Sequence, residues 1–316
     1  MRIKWKKIEE TDREQIESYF RREQSRNCEF TFGNNILWSQ FYLTKFAIVE
    51  DMLIFYSEEE PQSVSFPLGK TNIKQAVETL LQHFEEEKIL FQMHLVTKEQ
   101  FETLDAIFPG KFQIEFERDM ADYVYESEKL ISLAGSKLHG KRNHINKFIE
   151  QYPDWTYETI TEKNRQECLD MAKKWWIENR EDNQLKEAID VLQAVEDDVS
   201  YEDFEKRAEL EVTKNALLRM EELNLRGGLI RADGKVVAFS IGEPTFGDTF
   251  IVHIEKAYAD VQGAYPIINR EFVKHEASEF TYINREEDTG AEGLRKAKLS
   301  YRPAFLLEKG TVTLKN

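Results

Sequence analysis

The sequence is poor in the residues that build flexible linkers and covalent cross-links. Its 316 residues include only 7 prolines, 14 glycines and 2 cysteines. No Pro-, Gly- or Ser-rich stretch stands out, so no flexible tether between domains is expected. The cysteines, Cys28 and Cys168, lie far apart, and neither belongs to a CxxC pair. We therefore expect reduced, structural thiols in a cytoplasmic protein rather than a disulfide framework.

Long hydrophobic runs are also missing. No stretch of about 18 apolar residues is present, so no transmembrane helix is expected. The N-terminal residues MRIKWKKIEETDREQ are basic but lack the apolar segment of a signal peptide. The six histidines form no HExxH motif or comparable spacing, so no metal site is expected. The 21 Phe, 12 Tyr and 5 Trp residues exclude a disordered chain, because disordered sequences lack such bulk.

The charge is strongly acidic overall but unevenly distributed. The 59 acidic and 43 basic residues give a net charge of −16, which argues against a protein that coats nucleic acid or docks on anionic lipid. The segment Glu181–Glu211 alone carries a net charge of −9 and is predicted to be a solvated helical face. Ser136–Phe148 and Leu294–Arg302 each carry +4 and contain no acidic residue. A local site for one phosphate-bearing ligand is therefore compatible with the acidic total.

The order of predicted elements is similar in the two halves of the chain. Each half shows strand, turn, strand, strand, glycine loop, helix, strand, helix and strand. Because 316 residues exceed the usual size of one domain, we predict an α+β fold of two tandem domains, 1–130 and 131–316. Each domain is expected to contain a mostly antiparallel mixed sheet flanked by helices.

Four local patterns give specific structural predictions. Glu50-Asp51 and Asp233-Gly234 each separate two apolar runs and predict hairpin turns. Apolar residues at helical spacing predict a helix over 72–87. The alternation of apolar and polar residues over Phe112–Tyr125 predicts one strand.

The first candidate functional segment is the basic stretch Ser136–Phe148. A helix over this stretch would bring Lys137, Lys141 and His144 near one face, with Arg142 beside them. This pattern fits contacts to phosphate or nucleic acid. An ordinary solvated amphipathic helix explains the same pattern equally well.

The second candidate segment is His253–Phe272, which joins a strand to a helix. Strand alternation places His253 and Glu255 on one face. Gly263 and Ala264 remove side-chain bulk immediately before a helix, whose N–H groups attract anions. Tyr265 and Asn269, which come just after this turn, are further candidate ligand-binding residues. A plain loop with no ligand is the alternative interpretation.

The third candidate segment is Asn284–Pro303, which follows a predicted buried strand. Ligand groups often lie where a strand ends, and this segment combines mixed charge, two spaced glycines and a basic run. An exposed loop with incidental salt bridges is the alternative. Its candidate residues are Asn284, Arg285, Glu286, Asp288, Lys296, Lys298 and Tyr301.

These three segments resemble signature stretches of the bacterial DUF2156 proteins. The matching stretches read KLHGKRNHINKF, HIEKAYADVQGAYPIINREF and YINREEDTGAEGLRKAKLSYRP. That group is related to the C-terminal catalytic domain of phosphatidylglycerol lysyltransferase. The resemblance is strongest over residues 136–312. It implies two tandem GNAT-like acyltransferase domains, a fold also used by the Fem peptidoglycan aminoacyltransferases.

The resemblance implies transfer of an acyl or aminoacyl group to an amine or hydroxyl acceptor. The donor would be acyl-CoA or aminoacyl-tRNA, with no permanently bound cofactor. The turn Gln262-Gly263-Ala264 is a degenerate form of the GNAT pyrophosphate loop, which leaves aminoacyl-tRNA as a serious candidate. The chain is expected to lack the membrane-spanning half of the full lysyltransferases.

Direct attack on a bound ester or thioester requires positioning, deprotonation of the acceptor and a donor to the developing oxyanion. Glu255, Glu286 or Asp288 would be the base, and Tyr301 would protonate the leaving group. Phosphates of the donor would contact Lys141, Arg142, Lys296 and Lys298 and the backbone of Gly263–Tyr265. The remaining donor-binding candidates are His144, Asn269, Asn284 and Arg285.

Two other classes of function remain open. A non-catalytic GNAT-like module would bind a nucleotide or a charged small molecule, and its carboxylates would be dispensable. A scaffold would instead use the acidic helix to dock a basic partner.

Overall fold

The computed structural model describes residues 3–178 and 201–315. The helices are α1 (Arg13–Glu23), α2 (Phe32–Trp38), α3 (Ile73–Glu87), α4 (Lys98–Ile107), α5 (Ser127–Ser132), α6 (His139–Gln151), α7 (Arg165–Glu178), α8 (Tyr201–Leu218), α9 (Ala264–Glu276) and α10 (Glu292–Ser300). The strands are β1 (Lys6–Lys7), β2 (Thr44–Val49), β3 (Met52–Ser57), β4 (Ser63–Val64), β5 (Gln92–Thr97), β6 (Phe112–Phe116), β7 (Asp122–Glu126), β8 (Thr156–Thr159), β9 (Arg226–Ala232), β10 (Lys235–Pro244), β11 (Thr249–Ala257), β12 (Tyr282–Asn284), β13 (Phe305–Leu307) and β14 (Lys309–Leu314).

The first sheet has the strand order β1-β2-β3-β4-β5-β14-β6. Its pairs are antiparallel except β4 with β5. Strand β14 comes from the far end of the sequence, and Lys309 faces Thr97 of β5 while Gly310 faces Phe116 of β6. The C-terminal strand therefore completes a sheet that is otherwise built from the first 116 residues.

The second sheet has the order β13-β7-β12-β11-β10-β9-β8. The β11–β12 pair is parallel, whereas β7 pairs antiparallel with both β12 and β13. The β8–β9 and β9–β10 pairs are also antiparallel. These two mixed, mostly antiparallel sheets with flanking helices confirm the predicted α+β fold class.

The chain divides into two compact units. The first unit comprises Met1–Ser127, Pro244–Ile251 and Glu279–Asn316, and the second comprises Glu128–Glu243 and Val252–Ser278. The first change of unit lies close to the predicted boundary at residues 130 and 131. The later segments differ from that single cut, because β12, β13 and β14 hydrogen-bond to strands of the N-terminal segment.

The core of the first unit forms between its sheet and α3. The apolar positions of α3 repeat at helical spacing, and Val77, Leu80 and Phe84 are buried against Val96 and Phe112 in one cluster. The helix ends at Lys88, which adopts φ of 60° and closes the last turn. Burial of this stripe against the sheet holds α3 in place.

The prediction of one strand over Phe112–Tyr125 is wrong. The stretch contains β6 and β7, which lie in different sheets and are separated by a turn at Arg118–Met120. Two short strands with the same alternation look like one long strand, because the period of two does not reveal a change of sheet. The predicted acidic helix over Glu181–Glu211 lies mainly outside the described residues, which resume at Tyr201 in α8.

Candidate functional site

The residues predicted from the sequence fall into two groups, one in each compact unit. The first unit contains the candidates of the third segment, on the loop after β12 and on α10. The second unit contains the candidates on α6, β11 and α9.

Asp288 accepts several of the side-chain hydrogen bonds described for the loop after β12. Its carboxylate is fully buried and accepts from Arg295 Nε at 2.9 Å, from Arg295 Nη2 at 2.7 Å and from the Gly290 N–H at 3.0 Å. The Tyr123 hydroxyl donates to the same group. Burial alone raises the pKa of Asp288, but the hydrogen bonds from Arg295, Tyr123 and Gly290 outweigh it and hold the pKa well below its usual range. A carboxylate that accepts this many hydrogen bonds is a weak base, and it stabilises the loop.

Lys298 closes the same loop from α10. Its ammonium is buried and donates to the carbonyl oxygens of Arg285 at 2.6 Å, of Glu286 at 3.2 Å and of Glu287. Burial lowers the pKa of Lys298. All three N–H donors of the ammonium are thereby committed to the backbone, which leaves none for a donor phosphate.

Lys296 and Tyr301 have different surroundings. Lys296 is highly exposed and pairs at 3.2 Å with Glu292, one turn earlier on α10. Tyr301 is buried, and its ring lies 5.0 Å from the guanidinium carbon of Arg285. Arg285 also lies 5.7 Å from the ring of Tyr125. The Arg285 and Tyr301 contacts are therefore mutual packing contacts within the first unit.

Asn284 belongs to a buried ionic cluster that sequence reasoning missed. Its amide donates at 2.8 Å to Asp122 and at 2.8 Å to the carbonyl of Arg26. Asp122 in turn faces the fully buried ammonium of Lys309 at 2.7 Å. The same ammonium lies 2.7 Å from Glu29 Oε1 and 3.5 Å from Cys28 Sγ. No motif marks these residues, since they come together only when β14 joins the first sheet.

Cys28, Glu29 and Asp122 carry the right atoms for metal ligands, and these atoms lie within 4.8 Å of one another. The Lys309 ammonium stands at the same oxygens and already supplies a positive charge there. Carboxylates of Asp122 and Glu29 raise the pKa of Lys309 despite its burial. Burial also raises the pKa of the Cys28 thiol, which disfavours the thiolate that a metal requires. The donor set therefore fits a lysine ion pair better than a metal.

Glu287 lies beside this cluster, with its Oε2 4.0 Å from Cys28 Sγ. Burial and the negative charges of Glu286, Asp122 and Glu29 raise the pKa of Glu287 to about 7. The Glu287 carboxyl therefore gains or loses its proton near neutral pH.

In the second unit, Glu255 on β11 contacts Asn269 on α9. The Asn269 amide nitrogen donates to Glu255 Oε2 at 3.1 Å. Asn269 is only 1% exposed, and its Oδ1 has no hydrogen-bond partner among the described residues. The structure thus brings together two residues that were predicted from the second segment.

Tyr265 completes this group. Its hydroxyl is hydrogen-bonded by the Trp175 side chain and by the backbone of Ala257. Partial burial raises the pKa of Tyr265, and the nearby negative charge of Glu255 adds to the rise. Glu255, Tyr265 and Asn269 therefore form one polar cluster between the end of β11 and the first turns of α9.

Sequence reasoning also missed Lys256, the neighbour of Glu255. Its buried ammonium pairs with Glu209 and lies 3.6 Å from the centre of the Trp175 ring. Burial lowers the pKa of Lys256. The sequence places Lys256 within a predicted strand. Nothing in that pattern indicates an ion pair with a residue of α8.

Gly263 brings α6 against the start of α9. It adopts φ of 88°, and a Cβ there would lie 2.9 Å from Phe148 Cβ and still closer to the His144 carbonyl oxygen. The Ala264 N–H donates to Val261 O, and Pro266 has no N–H. Few N–H groups of this turn are thus left for the pyrophosphate-binding role that its sequence suggested.

The basic residues of helix α6 have two kinds of surroundings: some contact the preceding loop, and others lie at the surface. Arg142 donates to the carbonyl oxygens of Leu133 and, at 2.8 Å, of Gly135. His144 is exposed, and Lys141 is half-buried. Arg142 therefore holds the preceding loop, and His144 presents its side chain at the surface beside the Gly263 turn.

The first unit also contains a cleft of about 770 Å³. Arg26 lines it and forms a two-pronged ion pair with Asp248 at 2.7 and 2.9 Å. Phe246 and Phe305 supply apolar walls. None of the residues predicted from the sequence lines this cleft.

Residues 20–309 match the family described as phosphatidylglycerol lysyltransferase, C-terminal. The chain belongs to this family, and the resemblance inferred from the three segments is confirmed. None of the helices in the described ranges is both long and apolar enough to cross a membrane.

Individual proteins resemble the chain in sequence or in fold. A conserved protein of unknown function from Bacteroides thetaiotaomicron is 38% identical, with a TM-score of 0.85 over 99% of this chain and 100% of that one. The structure of L-PGS from Bacillus licheniformis is 15% identical, with a TM-score of 0.63 over 96% and 92%, and shares the fold. An uncharacterized protein of Mycoplasmoides gallisepticum is 24% identical over 67% of this chain, and the match spans 66% of that relative's length.

Proposed function

We propose that this protein transfers an aminoacyl or acyl group from a phosphate-bearing donor to an amine or hydroxyl acceptor. The observation that carries the proposal is the family match over residues 20–309, which includes both units. The name of that family describes a lysyltransferase, so a lysyl group on tRNA is the first donor to test and phosphatidylglycerol the first acceptor. Acyl-CoA is the second donor.

Among the predicted carboxylates, Glu255 has the contacts that best suit a base. Asp288 is saturated by Arg295, Tyr123 and Gly290. Glu286 lies at φ of 55°, and its backbone is tied to Asn284 and Tyr123. Glu255 instead lies on strand β11 and accepts a hydrogen bond from Asn269. Tyr301 belongs to the first unit, where it is buried against Arg285, and it is given no part in the step proposed for Glu255.

In the proposed reaction, the acceptor attacks the carbonyl carbon of the bound ester or thioester. Glu255 takes the proton of the acceptor as the new bond forms and passes it to the leaving oxygen or sulfur as the old bond breaks. A base oriented by a second group loses less entropy on reaching the reactive geometry. Asn269 supplies that orientation from α9.

The basic face of α6 is the proposed contact for donor phosphates. Lys141 and His144 lie on this helix, which packs beside the Gly263 turn. The turn itself offers few N–H groups, and this favours aminoacyl-tRNA over acyl-CoA, whose pyrophosphate such turns hold in GNAT enzymes. Lys296 is a second, exposed candidate contact, whereas Lys298 is committed to its loop.

The test is a transfer assay with the full chain and a panel of substrates. Lysyl-tRNA and acetyl-CoA serve as donors, and phosphatidylglycerol vesicles and a soluble primary amine serve as acceptors. We expect labelled acyl product with lysyl-tRNA that depends on enzyme concentration. Absence of product and of binding for both donors would contradict the proposal and favour a non-catalytic module.

A further inference from the structure

Strand β6 forms an open edge of the first sheet. It pairs with β14 on one side, and no strand among the described residues pairs with its other side. The Glu117 N–H donates to β14, and the Lys111 carbonyl accepts from β14. Backbone groups change direction at each residue of an antiparallel strand. The outward N–H and C=O groups of β6 therefore belong to Phe112, Ile114 and Phe116.

The other edge strands of the two sheets are shorter than β6. Strand β1, at the opposite edge of the first sheet, has two residues, both lysines. Strand β13 has three residues and β8 has four. Proteins protect an open edge by shortness, proline, a bulge or charge. Strand β6 has five residues in continuous register with β14 and contains no proline, so its edge keeps the geometry that accepts another strand.

The side chains of β6 place apolar surface at this edge. Phe116 is 42% exposed, and Ile114 on the same face is half-buried. Gln113 and Glu115 are exposed on the opposite face. A strand added at this edge would cover part of the Phe116 ring and remove apolar area from water.

The two ends of β6 carry opposite charges. Lys111 precedes the strand and Glu117 follows it, and both are exposed. The Lys111 ammonium lies 5.4 Å from the centre of the Phe108 ring, and Glu117 accepts from the Thr311 hydroxyl. Neither residue forms an ion pair with another described residue. An antiparallel copy would bring the basic end against the acidic end, whereas a parallel copy in register would bring like charges together.

We propose that the β6 edge pairs antiparallel with the β6 edge of a second copy of this chain, around a two-fold axis at Ile114. In this register Ile114 faces the partner's Ile114, and Phe116 faces the partner's Phe112. Each of these apolar pairs exchanges N–H to C=O hydrogen bonds in both directions. On the other face, Gln113 lies opposite the partner's Glu115. Lys111 and the partner's Glu117 then form an ion pair.

A second copy is the partner that this edge fits best, because the segment Lys111–Glu117 is complementary to itself. Reversing the segment places no acidic residue opposite another acidic residue and keeps the apolar residues on one face. The resulting interface is isologous, as in most protein dimers. One pair of strands buries a small area, so we expect a weak, reversible dimer.

The first test is sedimentation velocity of the full chain from about 1 μM to about 500 μM, a range that covers weak interfaces. We expect a reversible monomer–dimer equilibrium. Phe116→Lys should weaken dimerisation about tenfold or more, because it replaces the apolar contact by an edge lysine. The matched control is Leu90→Lys, which changes a residue that is 90% exposed and lies outside β6, and it should leave dimerisation unchanged.

The second test reverses the charges at the ends of β6. Lys111→Glu should weaken dimerisation about tenfold, since it places two acidic residues opposite each other. Combining it with Glu117→Lys should restore the wild-type dissociation constant, because the ion pairs form again with exchanged partners. A combined variant as weak as Lys111→Glu alone would overturn the proposed register.

The third test is cross-linking through Gln113→Cys combined with Glu115→Cys. The two positions face each other as a non-hydrogen-bonded pair with Cα atoms about 4.5 Å apart, which a disulfide can span. The native Cys28 and Cys168 are buried. We expect a covalent dimer after mild oxidation of the combined variant and none from either single variant.

Three results would overturn the proposal: a wild-type chain that stays monomeric over the whole range, a Phe116→Lys variant that dimerises as the wild type does, or efficient cross-linking of Gln113→Cys alone, which indicates parallel strands. The pairing is independent of the transfer reaction, because β6 contains none of the residues assigned to that reaction. Failure of either one therefore leaves the other standing.

Discussion

Single charged side chains hold the loop that follows β12. Lys298 donates to three consecutive carbonyl groups, and Asp288 collects donors from Arg295, Tyr123 and Gly290. The sequence showed these residues as a dense run of charge. Their contacts show that the run builds a rigid loop, with Lys296 exposed beside it.

Lys298→Met is expected to lower the free energy of unfolding by roughly 2–4 kcal/mol, because three partly buried carbonyl groups lose a charged donor. Lys296→Met on the same helix is the matched control and should change it by less than about 0.5 kcal/mol. Urea unfolding of both variants measures the difference. Equal effects would show that Lys298 does not stabilise the loop.

Glu287 gives the protein a pH dependence. Its carboxyl has a raised pKa of about 7 in the folded protein, against 4.5 for an ordinary glutamate. The folded state therefore binds a proton that the unfolded state has released, and stability falls as pH rises from about 4.5 to 7. Because the loss is complete above pH 7, it amounts to on the order of 3 kcal/mol at most.

Glu287→Gln should flatten this decrease in urea-unfolding experiments across the same pH range. The variant should match the wild type near pH 4.5 and exceed it in stability at pH 8. A wild-type stability that rises between pH 5 and 7 with the same slope in both proteins would rule out this assignment.

At the scale of secondary structure, glycine decides how closely α6 approaches α9. Gly263→Ala combines a strained φ of 88° with a Cβ in contact with the His144 carbonyl and Phe148. We expect a loss of about 2–3 kcal/mol in unfolding free energy. Gly140→Ala in α6 meets nothing within 4 Å and should be neutral or stabilising by up to about 1 kcal/mol. Thermal or urea unfolding of the pair compares them directly, and equal stability of the two variants would contradict the role of Gly263.

Local elements were largely predictable because their signals are local. The Glu50-Asp51 and Asp233-Gly234 turns both adopt positive φ at the predicted hairpins, and α3 spans 73–87 close to the predicted 72–87. The split between β6 and β7 was not predictable, since it depends on which sheet each short strand joins. Of the candidate site, Glu255 and Asn269 were found from one segment, whereas the Lys309 cluster depends on contacts between distant segments.

At the scale of the whole molecule, the sheets combine distant parts of the sequence. The first sheet needs β14, and β7 of the N-terminal segment pairs with β12 and β13. A cut in sequence at residue 130 would leave the first sheet without an internal strand and would leave Asp122 without Lys309.

Fragments 1–130 and 131–316, expressed separately, are therefore expected to lack cooperative unfolding. Circular dichroism with urea measures this, with the full chain as the control. Mixing the fragments should restore part of the transition. Independent cooperative folding of fragment 1–130 would contradict the role of β14.

The central claim is that the chain transfers an acyl group with Glu255 as the base. The most direct measurement is the single-turnover rate of lysyl transfer from lysyl-tRNA by Glu255→Gln and by Asp260→Asn. General-base removal typically costs a factor of about 10²–10⁴, so the account predicts a loss in this range for Glu255→Gln and a rate near the wild type for Asp260→Asn. A Glu255→Gln enzyme that turns over at the wild-type rate would contradict it.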